Sequence, residues 1–246
     1  ISGLTVVDTA THWSGFGQLV IMVLIQLGGL GIVSFATLLG LLISGRISLR
    51  DRLNTLSEAK IVGADSLPKL LSRILIVYFG FELVLATYLS LRLHFRYGEG
   101  VLRSIWHGTF QAISAFNNGG FSLCADSMTG FNQDMFFIAP VMLAVVVGGL
   151  GFPVLIELHE RIWRLRLQPG GKAKRFSLHT RLTLWMTVSL IVLGALFIGA
   201  IEWNNPGTLG GLNTWDKLVN TFFTSIMPRS GGFNSLDISA MDPASW

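Results

Sequence analysis

The sequence predicts an all-α integral membrane protein assembled from repeated units, and three observations lead there. Apolar residues make up 51% of the 246 residues and charged residues only 13%, about half the charged share of an average soluble domain. The charges fall between long apolar blocks. No Asp, Glu, Lys or Arg interrupts residues 9–45 or 182–201, and about 20 apolar residues suffice to cross a bilayer. Short glycine motifs then return at fixed offsets, the mark of internal repetition.

Taken in order, apolar stretches at 14–45, 70–91, 135–159 and 182–201 read as membrane spans. Two semi-apolar helical stretches, 102–116 and 214–227, are too short to cross at ~1.5 Å per residue, and each runs into a glycine pair. That pattern predicts re-entrant hairpins, in which a half-length helix enters the membrane and irregular backbone returns it. Orientation follows from the basic residues. Arg46, Arg50, Arg52, Lys60, Lys69 and Arg73 cluster in one connection, and Arg161, Arg164, Arg166, Lys172, Lys174, Arg175 and Arg181 in another. Together they hold thirteen of the eighteen Lys and Arg residues, so both connections are expected on the cytoplasmic side and the glycine loops outside. An anionic-lipid or nucleic-acid patch is the competing reading of the second cluster; its place between two spans favours topology. The single cysteine, Cys124, excludes an intramolecular disulfide. The chain opens at Ile1 inside a glycine loop and closes at Trp246 where another span is expected, so it reads as a piece of a longer protein.

The repeat is explicit. Gly28 to Gly31 (GGLG) recurs 120 positions on at Gly148 to Gly151, and Phe16 matches Phe136 at that offset. Asn117-Asn118-Gly119-Gly120-Phe121 pairs with Arg229-Ser230-Gly231-Gly232-Phe233, 112 positions on, with Phe110 opposite Phe222. Ile1-Ser2-Gly3-Leu4 precedes Asn118-Gly119-Gly120-Phe121 by 117 positions. The unit is span, half-helix, glycine loop, span. Residues 1–45 hold the loop and second span of repeat one, 46–69 a cytoplasmic linker, 70–165 all of repeat two, 166–180 a basic linker, and 181–246 the first span, half-helix and loop of repeat three.

Glycine at the end of a half-helix permits backbone angles that turn carbonyls inward without a Cβ on the axis. Carbonyl rings can replace the water shell of a monovalent cation, and the partly negative C-termini of the half-helices favour a cation there. Irregular backbone at membrane depth is tolerated only where protein buries it or water lines it. Asp8, Asp126 and Asp237 each follow a central glycine by five or six residues; they are expected either as an outer acidic mouth or as helix caps. Arg229, next to Ser230, is expected behind its loop, bonding carbonyls at the helix end, a surface position being the alternative. Glu82 interrupts a span and is expected to pair with an arginine, transport being the alternative. The GGLG copies lie in continuous apolar helix without a preceding strand, which points to close helix packing and away from nucleotide binding. No metal-ligand spacing or nucleophile-base grouping is evident among the five histidines and the acidic residues, so no enzyme is expected.

In its SGLTVVD, NNGGF and RSGGFNSLD motifs and the doubled GGLG, the chain resembles the Trk/Ktr/HKT superfamily of potassium transporters, and most of all the membrane subunits of bacterial Ktr systems. The resemblance spans essentially the whole chain. It implies pseudo-repeats arranged pseudo-fourfold around one ion pore, of which about two and a half are present. Carried over by motif, the potassium-binding filter comprises Ile1, Ser2 and Gly3, then Asn118, Gly119 and Gly120, then Ser230, Gly231 and Gly232, with potassium at Gly3, Gly120 and Gly232. Asn117 and Arg229 would support the filter. Glycine at the first of these loops goes with potassium selectivity in the family. Gly119 and Gly231 stand where relatives often have alanine, and the lost methyl is expected to loosen the filter slightly.

The resemblance also implies potassium uptake across a bacterial plasma membrane, a multi-pass location, a homodimer of the membrane subunit and a cytosolic nucleotide-binding regulatory ring. Sodium is expected as a stimulating ion; neither an organic cofactor nor a nucleic-acid partner is expected. A Trk-type subunit and an alternating-access cation carrier are the competing readings.

Overall fold

A computed structural model describes residues 7–31, 67–151, 154–155, 157–159, 161 and 176–245, with backbone alone for Leu30 and residues 67–74. Ile1, Ser2 and Gly3 lie outside the described residues, as do residues 32–45 of the first apolar stretch and most of both basic connections. All regular structure among the described residues is helical. After a one-turn helix α1 (Thr9–His12) come α2 (Gly15–Leu30), α3 (Leu67–Tyr97), α4 (Val101–Phe116), α5 (Met135–Gly149), α6 (Leu178–Glu202) and α7 (Thr214–Ile226).

Among the described residues, two helices are long and apolar enough to cross a bilayer, Leu75–Tyr97 and Leu178–Glu202. Their outer faces are apolar as well. Ile76, Leu83, Val84 and Phe95 on α3 and Trp185, Leu193 and Leu196 on α6 are more than half exposed, an inversion of the soluble pattern that suits lipid. The half-helices keep one face inward. Ala112, Ala115 and Phe116 of α4 pack with Phe137, Ile138, Val141 and Val145 of α5, and Val219, Phe223 and Ile226 of α7 join the same core.

Local chemistry sets the helix ends. Ser14 caps α2, Ser177 caps α6, and Asn213 caps α7 in a reciprocal pair with Asp216, accepting from the Asp216 N–H at 2.9 Å and donating to its carboxylate at 2.6 Å. Pro140 inside α5 has no N–H for the Phe136 carbonyl; the Tyr88 hydroxyl of α3 donates to that oxygen at 2.9 Å. Where half-helices meet first spans, small residues allow close approach. A Cβ on Gly108 would come within 2.6 Å of the Ser90 backbone nitrogen, and one on Gly194 within 2.4 Å of Ser225 Oγ.

Asp134 ties the end of α3 to the start of α5. Its carboxylate caps α5 through the Phe137 N–H (3.2 Å) and accepts from Arg92 Nη2 (2.6 Å), Arg92 Nε (3.1 Å) and the Tyr97 hydroxyl (2.9 Å). Burial works against its charge, but the bonds from Arg92 and Tyr97 outweigh it and hold the carboxyl below the usual carboxylate range. A depressed acid contributes stability above its unfolded pKa, near ~3.9, and that stability is lost as pH falls through the folded value. Asp134→Asn is therefore expected to destabilise by about 2 kcal/mol at neutral pH and to flatten the acid limb of a Tm-against-pH series between pH 7 and 3.

Candidate functional site: the two glycine loops

The first described loop begins where α4 stops. Asn118 takes a left-handed conformation (φ 53°), which asparagine tolerates better than most residues. The Gly119 N–H then reaches back to the Ser114 carbonyl (2.6 Å) and the Asn118 N–H to the Ala115 carbonyl (3.2 Å), the paired bonds of a Schellman end. Gly120 is left-handed again (φ 72°).

The second loop reverses later. After α7 the chain winds on through Met227–Gly231 in a wide turn, closed by the Gly232 N–H on the Met227 carbonyl at 3.2 Å, and only Gly232 is left-handed (φ 72°). Pro228 offers no N–H to the preceding turn, which widens the helix, and neither Arg229 nor Ser230 favours the conformation that Asn118 adopts. The two loops expected to be equivalent thus share a left-handed central glycine and differ in where the helix ends.

Both loops are seated on the GGLG segments. A Cβ on Gly29 would lie 1.5 Å from Asn117 Oδ1, and one on Gly149 3.2 Å from Arg229 Nη2 and 3.4 Å from Ser230 Oγ. Beside them, a Cβ on Gly119 would lie 3.1 Å from Ile25, and one on Gly231 2.9 Å from Val145. Gly149 and Val145 stand 120 positions after Gly29 and Ile25, and Arg229 and Gly231 stand 112 after Asn117 and Gly119. The same seam is built twice, each time from a GGLG helix and the glycine loop that follows the next half-helix. Gly148 serves its own repeat: a Cβ there would be 1.8 Å from the Phe116 carbonyl oxygen. The last glycine of each motif ends the helix, Gly31 at φ 75° and Gly151 at φ 81°. Close packing is what the sequence led us to expect, whereas continuous helix through the motif is corrected to a break at its final residue.

Asn118 ties the seam together. With its amide oriented so that the oxygen accepts from the Gly149 N–H (3.1 Å), the nitrogen donates to the Val145 carbonyl (3.0 Å) and to Ser230 Oγ (3.2 Å). One side chain thereby joins the first loop, helix α5 and the second loop. Nor is there slack at the missing alanine methyls. Met227 Sδ would be 2.4 Å and Val145 Cγ1 2.9 Å from a Cβ at Gly231, and Ser114 Oγ lies 3.2 Å from one at Gly119. The expected loosening is corrected: neighbouring side chains already fill that space.

Behind the first loop lies a polar cluster. Asn117 Nδ2 donates to Glu82 Oε1 (2.8 Å) and to the Ile113 carbonyl (2.8 Å), Gln26 Nε2 donates to Glu82 Oε2 (2.7 Å), and the Tyr78 hydroxyl donates to Asn117 Oδ1. Tyr78, Glu82 and Asn117 are 3%, 5% and 8% exposed, and Gln26 is half-buried at the edge of the cluster. The arginine expected for Glu82 is corrected to two neutral amide donors among the described residues, Gln26 and Asn117, with Tyr78 bonded to the second. Sequence reading passed over Gln26 and Tyr78. Their signal was present, since Tyr78 stands one helical turn before Glu82 and Gln26 two residues before a GGLG.

Arg229 is exposed beside Gly149 and makes no bond to a carbonyl among the described residues, which corrects the capping role expected for it. Asp8 caps α1, accepting from the Ala10 N–H at 3.1 Å. Asp237 caps the turn after the second loop through the Ser239 N–H (2.9 Å) and hydroxyl (2.6 Å), and these bonds hold its carboxyl below the usual range. Asp126 and Asp237 line one polar cavity of ≈ 580 Å³ with Asn132 and Asn234. Asp237 therefore serves as cap and wall at once.

Comparison with known proteins gives a match to the TrkH family model, described as cation transport protein, over residues 1–245. The chain is 39% identical to Ktr system potassium uptake protein B of Bacillus subtilis, over 98% of this chain and 52% of that protein. It is 32% identical to Ktr system potassium uptake protein B of Vibrio alginolyticus (97% and 50%) and 31% identical to potassium/sodium uptake protein NtpJ of Enterococcus hirae (99% and 51%). The chain spans about half the length of these curated relatives.

Proposed function

The chain belongs to the TrkH family of cation transport proteins, and on that footing we propose that it is part of a Ktr-type pore subunit that takes up potassium across the bacterial plasma membrane. The observation that carries the reading is the seam built twice, Gly29 with Asn117 and Gly149 with Arg229 and Ser230. A contact that recurs between successive repeats is what a rotational, pseudo-fourfold arrangement about an axis requires. In that arrangement the backbone around Gly120 and Gly232, with Gly3 as a third contributor, faces the axis and replaces the ion's hydration shell. Asn118, Gly119, Ser230 and Gly231, with Ile1 and Ser2, complete the filter. The C-termini of α4 and α7 supply partial negative charge toward it, and the cavity walled by Asp126 and Asp237 is its outer mouth.

The similarity to Ktr system proteins supports a second part of the proposal: a homodimer of the membrane subunit resting on a cytosolic nucleotide-binding ring, with sodium as stimulating ion. The test is uptake by the native protein and its cytosolic partner in cells lacking their own potassium uptake. Saturable potassium entry that exceeds sodium entry at equal concentration is expected, with unitary currents in a planar bilayer. Potassium entry without unitary openings would favour an alternating-access carrier, and absence of potassium entry would sink the transport reading.

A further inference from the structure

The seam between repeats two and three is an internal control for the seam between one and two. Both seat a glycine loop on a GGLG helix, yet among the described residues only the first has a carboxylate behind the loop. At the offsets of the repeat, Glu82, Tyr78, Gln26 and Asn117 correspond to Gly194, Leu190, Val146 and Arg229. The correspondence holds in space. Gly194 lies against Ser225, and the residue matching Ser225 is Ile113, whose carbonyl shares the Asn117 amide with Glu82.

The fold thus closes a seam of this kind with no buried acid. Removing an ionised carboxylate from water is costly, so the fold itself gives no reason to retain one at the other seam. Among the described residues, every group that reaches Glu82 is neutral: the amides of Gln26 and Asn117 donate to its two oxygens, and Tyr78 adjoins them. No Lys, Arg or His side chain pairs with it among the described residues. Both of its oxygens accept from amide N–H groups, as those of an ionised carboxylate do, and it stands one side chain from a loop whose proposed occupant is a cation.

We propose that Glu82 is a positioning residue for ion selectivity: through Asn117 it fixes loop 117–120, and its charge favours a cation at that loop over the one beside Arg229. The inference rests on the transport reading above and goes beyond it, because it makes the pathway electrostatically unequal from repeat to repeat.

The test uses the native protein in cells deficient in potassium uptake, reading potassium KM, potassium-over-sodium selectivity and abundance in the membrane. Glu82→Gln keeps the size but removes the charge and turns an amide toward donors; it is expected to lower selectivity about tenfold with abundance near that of the parent. Glu82→Asp is expected to recover part of that loss. Asn117→Ala combined with Glu82→Gln is expected to be no worse than the stronger single change, since both act through one link. Tyr78→Phe, which removes only a hydroxyl, is expected to shift selectivity the same way by a smaller factor, and it decides the matter should Glu82→Gln fail to reach the membrane. Parental KM and selectivity in Glu82→Gln, or a loss that tracks abundance alone, would overturn the assignment. A parent that carries no potassium would instead overturn the transport reading.

Discussion

Gly148→Ala is expected to remove most folded protein from detergent extracts, while Gly149→Ala, one residue on, leaves the yield close to that of the parent. Helix propensity predicts a gain of roughly 1 kcal/mol for either change, so propensity cannot separate them. Packing does. The added methyl at Gly148 would stand 1.8 Å from the Phe116 carbonyl oxygen and 2.9 Å from its carbon, and this is backbone at the end of α4, fixed by the Schellman bonds of the loop. Relief requires α5 to move by more than an ångström across a core that includes Phe137, Ile138, Val141 and Val145, all buried. Overpacking of that kind costs about 3 kcal/mol or more, which exceeds the propensity gain. At Gly149 the nearest atom is Arg229 Nη2 at 3.2 Å, the far end of a flexible and exposed side chain that can turn aside. Thermal melts and size-exclusion profiles of the two variants measure the contrast, and equal yields would show that α5 and α4 are not packed as described.

Much of this architecture was legible in the sequence because it rests on local or periodic signals. The half-helix expected over 102–116 runs Val101–Phe116, and the one expected over 214–227 runs Thr214–Ile226 before its wide turn. Apolar length and the glycine pair suffice for both. What escaped was decided by contact between distant residues. The neutral partners of Glu82 lie 35 and 56 positions away, and no local pattern distinguishes an acid that meets an arginine from one that meets amides. The unequal endings of the two loops follow from residue types that a repeat alignment treats as interchangeable: asparagine at 118 accepts a left-handed turn, while Pro228 upstream of Ser230 widens the helix instead. The GGLG motif was read for its smallness alone. Its three glycines have three tasks, and only coordinates assign them: Gly148 admits a carbonyl of its own repeat, Gly29 and Gly149 seat the next loop, and Gly31 and Gly151 end the helix with positive φ.

The loops put the functional reading at greatest risk, through Gly120→Ser and Gly232→Ser. Both glycines have φ 72°, a region in which a side chain costs about 1–2 kcal/mol. In a protein of ordinary stability that cost leaves most molecules folded, but the strain is relieved most easily by rotating the adjoining peptides, and those carry the carbonyls proposed to face the ion. Potassium-over-sodium discrimination is therefore expected to fall about tenfold or more in each variant, as when one directed oxygen is lost from a water-excluded site. Gly98→Ser separates strain from function. Gly98 has nearly the same angle, φ 69°, with open space around it, and it joins α3 to α4 away from either loop. It carries the same backbone cost with no ion to coordinate, so its variant is expected to match the other two in thermal stability and the parent in selectivity. Should all three serine variants discriminate between the ions alike, the backbone at Gly120 and Gly232 would have no part in choosing the ion.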